Sequence, residues 1–276
     1  MPKMIRFYTV LGWIAVAYMA ALFLYPLLKV FMSSLTAGDA FALTNYERVF
    51  SSAVYTKVLG RTMWISFVST AIALVLGYAL AYFIATRPKK SQGMWLMLII
   101  SPMFMSLTIR LYGWLIVLSN EGPVTGLLGA LSPSGEAPQL LFSAFSVIVG
   151  IVHYVLPFIV LNVYTSLKKL NESLVEASTM LGASRLRTFR LVTLPLSMPG
   201  VFAGGSIAFA LSANTFLVPI MLGGPANGML SNVAYNSIIT IGNFGLGSAI
   251  SVVLLVIVVI VLLIAGMLER RGHHAA

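Results

Sequence analysis

Residues 156–200 read LPFIVLNVYTSLKKLNESLVEASTMLGASRLRTFRLVTLPLSMPG, and this stretch decides how the chain is built. An apolar run ends at Leu167, a basic stretch covers 168–193, and Leu194-Pro195 lead into another apolar run. The basic stretch is too polar to span a membrane, yet it is patterned. Asn171 is a residue type that caps a helix start, and Leu174, Ala177, Ser178 and Leu181 then share one helical face. Gly182 offers the left-handed backbone that ends a helix. Ser184 can cap a second short helix, with Leu186, Phe189 and Val192 on one side and Arg185, Arg187 and Arg190 on the other. Pro195 then opens the next run at a position that needs no backbone donor. Helix, glycine turn, helix is a shape for docking into another protein.

Outward from this segment the chain is apolar almost throughout. Hydrophobic residues make up 59% and charged residues 9% of the 276, with a mean hydropathy of +0.97. Soluble domains are about a quarter charged, and so few charges could not clothe a soluble surface. A spanning helix needs about 20 apolar residues. Six runs reach that length: 10–32, 63–86, 94–118, 141–167, 196–219 and 249–268. The expected fold is all-α, a polytopic membrane protein with six transmembrane helices. Lys3 and Arg6 before an apolar run imitate a signal peptide, but the run continues to Met32 and reads as an uncleaved first helix. Cysteine is absent, which excludes disulfides and thiolate metal sites.

The basic residues set the orientation, because cytoplasmic loops carry the excess of Lys and Arg. With both termini cytoplasmic, 12 of the 17 basic residues fall inside and 4 outside, and Arg110 lies within a span. The net charge of +10 therefore reflects topology. Aromatic and basic residues are not interleaved on any soluble segment, so nucleic acid is not an expected partner.

The spacing Glu176-Ala177-Ser178, three residues, Gly182, nine residues, Val192, one residue, Leu194-Pro195 closely resembles the signature loop of bacterial ABC importer permeases, EAA-x3-G-x9-I-x-LP. Ser178 stands for the second Ala and Val192 for Ile. The resemblance is strongest over 154–200 and covers nearly the whole chain, and it is closest to the spermidine/putrescine group. It implies a permease core over 61–276, with a coupling loop at 168–195 and a short C-terminal tail. Residues 1–60 add a first transmembrane helix and an outer amphipathic segment. In that segment Thr44 and Glu47 have the spacing of a capping box, and an interfacial helix and a partner contact are both open readings. The resemblance also implies that Glu176, Ala177, Ser178, Gly182, Ala183, Leu194 and Pro195 couple the chain to an ATPase. Its implied partners are two ATPase copies, a second permease (heterodimer in preference to homodimer), an extracytoplasmic solute-binding protein and the lipid bilayer of the bacterial inner membrane.

No phosphate-cradling G-x4-G-K-[ST] loop occurs, so the chain is expected to carry no cofactor, with ATP and Mg used by the partner. The six runs contain no Asp or Glu and one histidine, His153, which does not make an intramembrane hydrolase. An enzyme is rejected. The same lack of carboxylates argues against the alternative, a subunit of an ion-coupled secondary transporter.

With Lys29 counted on the outer side, at the end of its run, Arg110 is the one charge left well inside a span, about 12 Å inward from Leu118 by helical rise. Intramembrane Arg is costly, and a structural role, snorkelling or bonding carbonyls, is weighed here against contact with a solute. Gly200, Gly204, Ala208 and Ser212 form a ladder of small residues suited to close helix packing. Asn214 and Phe216 just above it join Arg110, Tyr112, His153 and Asn162 as candidates for the translocation path. Gly223-Gly224-Pro225 and Gly228 mark a turn-rich, charge-free outer segment. The implied solute is a small organic compound: a polyamine or a related amine, amino-acid-like or opine-like.

Overall fold

The computed structural model describes residues 2–37, 40–41, 43–132 and 138–274. The architecture is helical, with one pair of two-residue strands. In chain order the elements are α1 (Pro2–Ser34), β1 (Thr36–Ala37), β2 (Ala40–Phe41), α2 (Thr44–Ser51), α3 (Ala53–Ala85), α4 (Lys89–Ile100), α5 (Leu107–Leu118), α6 (Pro123–Leu131) and α7 (Ala144–Lys168). Then come α8 (Glu172–Met180), α9 (Arg185–Thr188), α10 (Leu194–Ala213), α11 (Leu230–Tyr235) and α12 (Phe244–His274). Among the described residues, five helices are long and apolar enough to cross a membrane: α1, α3, α7, the continuous rod 185–213, and α12.

The third apolar run departs from the expected single helix. A 3-10 turn, Ser101–Phe104, follows α4, and the extended residues Met105 and Ser106 separate it from α5. The segments on either side meet at 96°, and they count as a sixth span only when taken as one broken unit. Pro102 sits in the turn, where it removes a donor and obstructs the carbonyl four residues earlier. Because residues 101–106 stay largely apolar, hydropathy alone does not register the break.

Two compact units emerge from the contacts. The first comprises residues 1–56 and 233–255. Here no residue in the most apolar stretch of α1 is buried. Strands β1 and β2 pair antiparallel, Thr36 with Phe41 and Ala37 with Ala40. The capping box expected at Thr44 is not made. Thr44 is already helical, Leu43 is the cap residue without a side-chain bond, and Glu47 N–H bonds the Leu43 carbonyl. The neighbouring Asn45 instead ties α2 back to the chain, donating to the carbonyls of Ser34 and Thr36.

The second unit comprises 57–232 and 256–276 and is organised around α7. Its buried core takes Ile65, Ala73 and Ile84 from α3 and Leu111 from α5. Val147, Ile151, Val155, Ile159 and Val163 of α7 form its centre, with Ala208 of α10 beside them. Burial of such side chains is worth roughly 25 cal/mol per Å² when water is the alternative. Between helices in lipid, close packing takes over as the driving force. The small-residue ladder of α10 supplies that packing. A Cβ on Gly200 would lie 2.5 Å from Ser166 Cβ, and one on Gly204 would lie 3.2 Å from Ile159 Cα. Ser143 and Ser146 cap α7 reciprocally, and Ser146 Oγ also donates to the Leu222 carbonyl at 2.8 Å.

Candidate functional site

The patterned segment after α7 folds as its local chemistry requires. Asn171 accepts from Ser173 N–H at 3.1 Å and starts α8. Gly182 has φ +78, the Ala183 N–H bonds the Ser178 carbonyl, and the Gly182 N–H bonds the Thr179 carbonyl. That pair of bonds is a Schellman motif, which satisfies the last carbonyls of α8. Ser184 caps α9 by accepting from Arg187 N–H. Across the turn, Ser178 Oγ and Thr188 Oγ1 share a hydrogen bond of 2.9 Å. Ser178, one of the two residues that depart from the family pattern, thus ties the two short helices together.

One expectation about this segment is corrected. The second short helix does not stop before the next span. A π-helical turn, Phe189–Thr193, joins α9 to α10, with the Leu194 N–H bonding the Phe189 carbonyl five residues back. The wide turn gives the Pro195 ring room beside the preceding carbonyls. Leu194 and Pro195 therefore lie in a continuous rod, while Ala177, Ser178, Gly182 and Ala183 line a groove of about 470 Å³ with Leu174 and Leu191. Glu176 lines a separate cavity with Lys168 and Val175. The apolar face expected on α8 is left open, since Leu181 is 89% exposed and its neighbour Met180 is 87% exposed. Leu186, expected on the covered side of α9, is exposed as well. Arg185, Arg187 and Arg190 are exposed as expected.

The candidate path residues separate into three places. Arg110 and His153 come together between α5 and α7, with Tyr154 also within electrostatic reach of the guanidinium. Trp114 Nε1 donates to His153 Nδ1 at 3.1 Å, which leaves the imidazole proton on Nε2 as a further donor. Of the two forms of the structural reading, snorkelling and bonding carbonyls, no bond from Arg110 to a carbonyl is made among the described residues. Its Nε and Nη1 are buried without a hydrogen-bond partner among the described residues. Tyr112, on the same helix, is exposed.

Asn162 lies lower on α7, donates to the Phe158 carbonyl at 2.8 Å, and lines a cleft of about 490 Å³ with Thr165, Ser166, Lys169 and Glu269. Asn214 ends α10 and bonds the Ala210 carbonyl, and the Phe216 carbonyl accepts from Asn232. The glycine-rich segment beyond forms a π-helical turn, Pro219–Gly223, and a 3-10 turn, Pro225–Asn227. Between them Gly224 takes φ +63. Arg61 of α3 donates from both terminal nitrogens to the carbonyls of Ala226 and Gly228. Sequence reasoning missed Trp114, Thr188 and this clamp, because each depends on a partner in another helix or turn.

With the geometry in place, comparison with known proteins is informative. Residues 77–273 match the family of binding-protein-dependent transport system inner membrane components. The spermidine/putrescine transport system permease protein PotB of Escherichia coli is 34% identical over 252 residues, covering 89% of this chain and 90% of PotB. The Haemophilus influenzae protein of the same name is 31% identical over 78% of this chain and 76% of its own length. Among solved structures, a bacterial ABC transporter involved in importing the acidic polysaccharide alginate contains a chain with TM-score 0.81 at 17% identity, covering 98% of both chains. At that identity the likeness concerns the fold alone.

Proposed function

The chain belongs to the family of binding-protein-dependent transport system inner membrane components, and from that premise we propose how it meets its partners and what it carries. It is a multi-pass permease subunit of an ATP-driven ABC importer in the bacterial inner membrane. It is a transport component and not an enzyme, and ATP is hydrolysed on separate ATPase subunits. The likeness is to binding-protein-dependent systems, which leaves the ion-coupled carrier without support.

Two ATPase copies bind ATP and Mg from the cytoplasmic side, and this chain, which holds no nucleotide, offers one of them the segment 168–195. Both termini lie on that side, in keeping with the 12 inward basic residues. A second, non-identical permease and an extracytoplasmic binding protein complete the assembly. The carried solute is a small organic amine, a polyamine or a related compound, as the names of its 34% and 31% identical relatives suggest.

The observation that carries the docking reading is the Schellman turn at Gly182, which holds α8 against α9 while leaving Met180 and Leu181 uncovered. Apolar side chains at that exposure, on a segment outside the spans, call for a protein partner. The test is co-purification of the chain with its ATPase, followed by ATP-dependent uptake of labelled spermidine and putrescine into proteoliposomes. Uptake driven by an ion gradient without ATP would refute the reading. Uptake of neither amine by an active, ATP-hydrolysing assembly would refute the solute class alone.

A further inference from the structure

The docking loop has to move the spans, and the contacts it makes with them are unequal. A cavity of about 300 Å³ lies between Val175 and Glu176 of α8 and the inner end of α3 at Tyr82 and Ala85. Displacing α8 would therefore close an empty space before it pushed α3. A second route is already closed. Phe189 heads the π-helical turn, and its ring meets Tyr82 edge-on at 5.3 Å and 78°, and Tyr78 edge-on at 5.8 Å and 80°. Tyr78 and Tyr82 are four residues apart on α3 and so present one face. The Tyr78 hydroxyl bonds Ser197 Oγ of α10 at 2.8 Å, which fixes the ring that Phe189 strikes.

On its other side Phe189 follows Thr188, which is buried and bonded to Ser178 of α8. Movement of α8 is thus handed through a hydroxyl pair to the residue next to Phe189. Edge-to-face aromatic pairs have a preferred geometry that aliphatic contacts lack. Because α9, the π-helical turn and α10 are one rod, the ring also moves with the span behind it.

We propose that Phe189, held against Tyr78 and Tyr82, is the positioning residue that passes displacement of the docking loop to α3. This rests on the reading of 168–195 as the ATPase dock, and its test separates the two. The chain has no cysteine, so single reporters are available. Ser173→Cys reports on the exposed loop and Ala79→Cys on an exposed position of α3. Each carries a polarity-sensitive fluorophore in the full complex, and vanadate with ATP traps the ATPase.

With Phe189 present, both reporters should respond to trapping. In Phe189→Ala the loop reporter should still respond and the ATPase should still co-purify, while the α3 response falls about fivefold or more. Phe189→Leu, which keeps apolar volume without a ring edge, should fall between the two and serves if the alanine variant does not assemble. A parental complex in which only the loop reporter responds would overturn the proposal. So would an α3 response unchanged in both variants, or loss of the loop response together with that of α3. A complex in which the ATPase never associates with 168–195 would instead overturn the docking reading.

Discussion

Arg61 and Gly228 are joined by a guanidinium-to-carbonyl bond that spans 167 positions of sequence. Together with the bond to Ala226 it pins the turn after Gly224 to α3, and the adjacent Thr62 hydroxyl accepts from Leu230 N–H at 2.9 Å. Few side chains other than arginine can fork onto two carbonyls at once. Arg61→Lys should keep one of the two bonds and Arg61→Ala neither. Hydrogen bonds from charged donors are worth about 1.5–3 kcal/mol, so the alanine variant should unfold measurably earlier in detergent. An unchanged melting midpoint for Arg61→Ala would show that the clamp carries no weight.

Gly182 is open to a finer test than simple replacement. Nothing lies within 4 Å of a Cβ placed there, so any penalty comes from the positive φ and not from a clash. Asparagine visits that backbone region routinely and a β-branched residue does not. Gly182→Asn should retain transport and ATPase co-purification, and Gly182→Val should lose both while still inserting in the membrane. Equal behaviour of the two variants, at equal expression, would remove the left-handed turn from the account.

The two unpartnered nitrogens of Arg110 carry a cost in the isolated chain. A buried donor left unsatisfied costs about 1–3 kcal/mol, more when charged. Arg110→Met should therefore raise the thermal midpoint of the isolated subunit. If an acceptor arrives only with the second permease or the solute, the same change should lower uptake in the assembled importer by about tenfold. A cationic polyamine would not supply that acceptor, so a loss specific to zwitterionic solutes would place the solute itself at Arg110. Stabilisation without any transport defect would leave Arg110 no part in the path.

Gly200 should tolerate no side chain. Alanine there would need space already filled by Ser166 and the Asn162 carbonyl, and overpacking of this kind costs about 1–3 kcal/mol. Gly126→Ala on α6, where nothing lies within 4 Å, is the matched control and should be neutral or stabilising by up to about 1 kcal/mol. Comparable melting of the two variants would contradict the close approach of α10 to α7.

The parts of this fold that the sequence discloses are those decided within a few residues. Asn171, Gly182 and Ser184 do what their side chains and backbone freedom require, because a cap or a left-handed turn answers to its immediate neighbours. The apolar runs were equally legible, since hydropathy is a sum over one segment. Thr44 marks the limit of that logic: the cap fell at Leu43, while Asn45 was drawn to carbonyls of the preceding turn. The break near Pro102 and the π-helical continuity through Pro195 were hidden because proline signals disruption without saying whether the chain bends or widens. The contacts of Arg61, Trp114 and Phe189 could not be read at all. Their partners lie on other helices, and a single sequence does not say which helices meet.

The contrast between α1 and α7 has a consequence for how such a chain changes over time. No residue in the most apolar stretch of α1 is buried, whereas 44% of that of α7 is. Exchange of one large apolar residue for another in α1 alters oiliness hardly at all and disturbs no neighbour within the chain. The same exchange in α7 meets Gly77, Gly200 and Gly204 pressed against it. A saturation library should therefore recover α1 as a degenerate alphabet of interchangeable hydrophobes, and α7 as a fixed text in which almost every letter has one spelling.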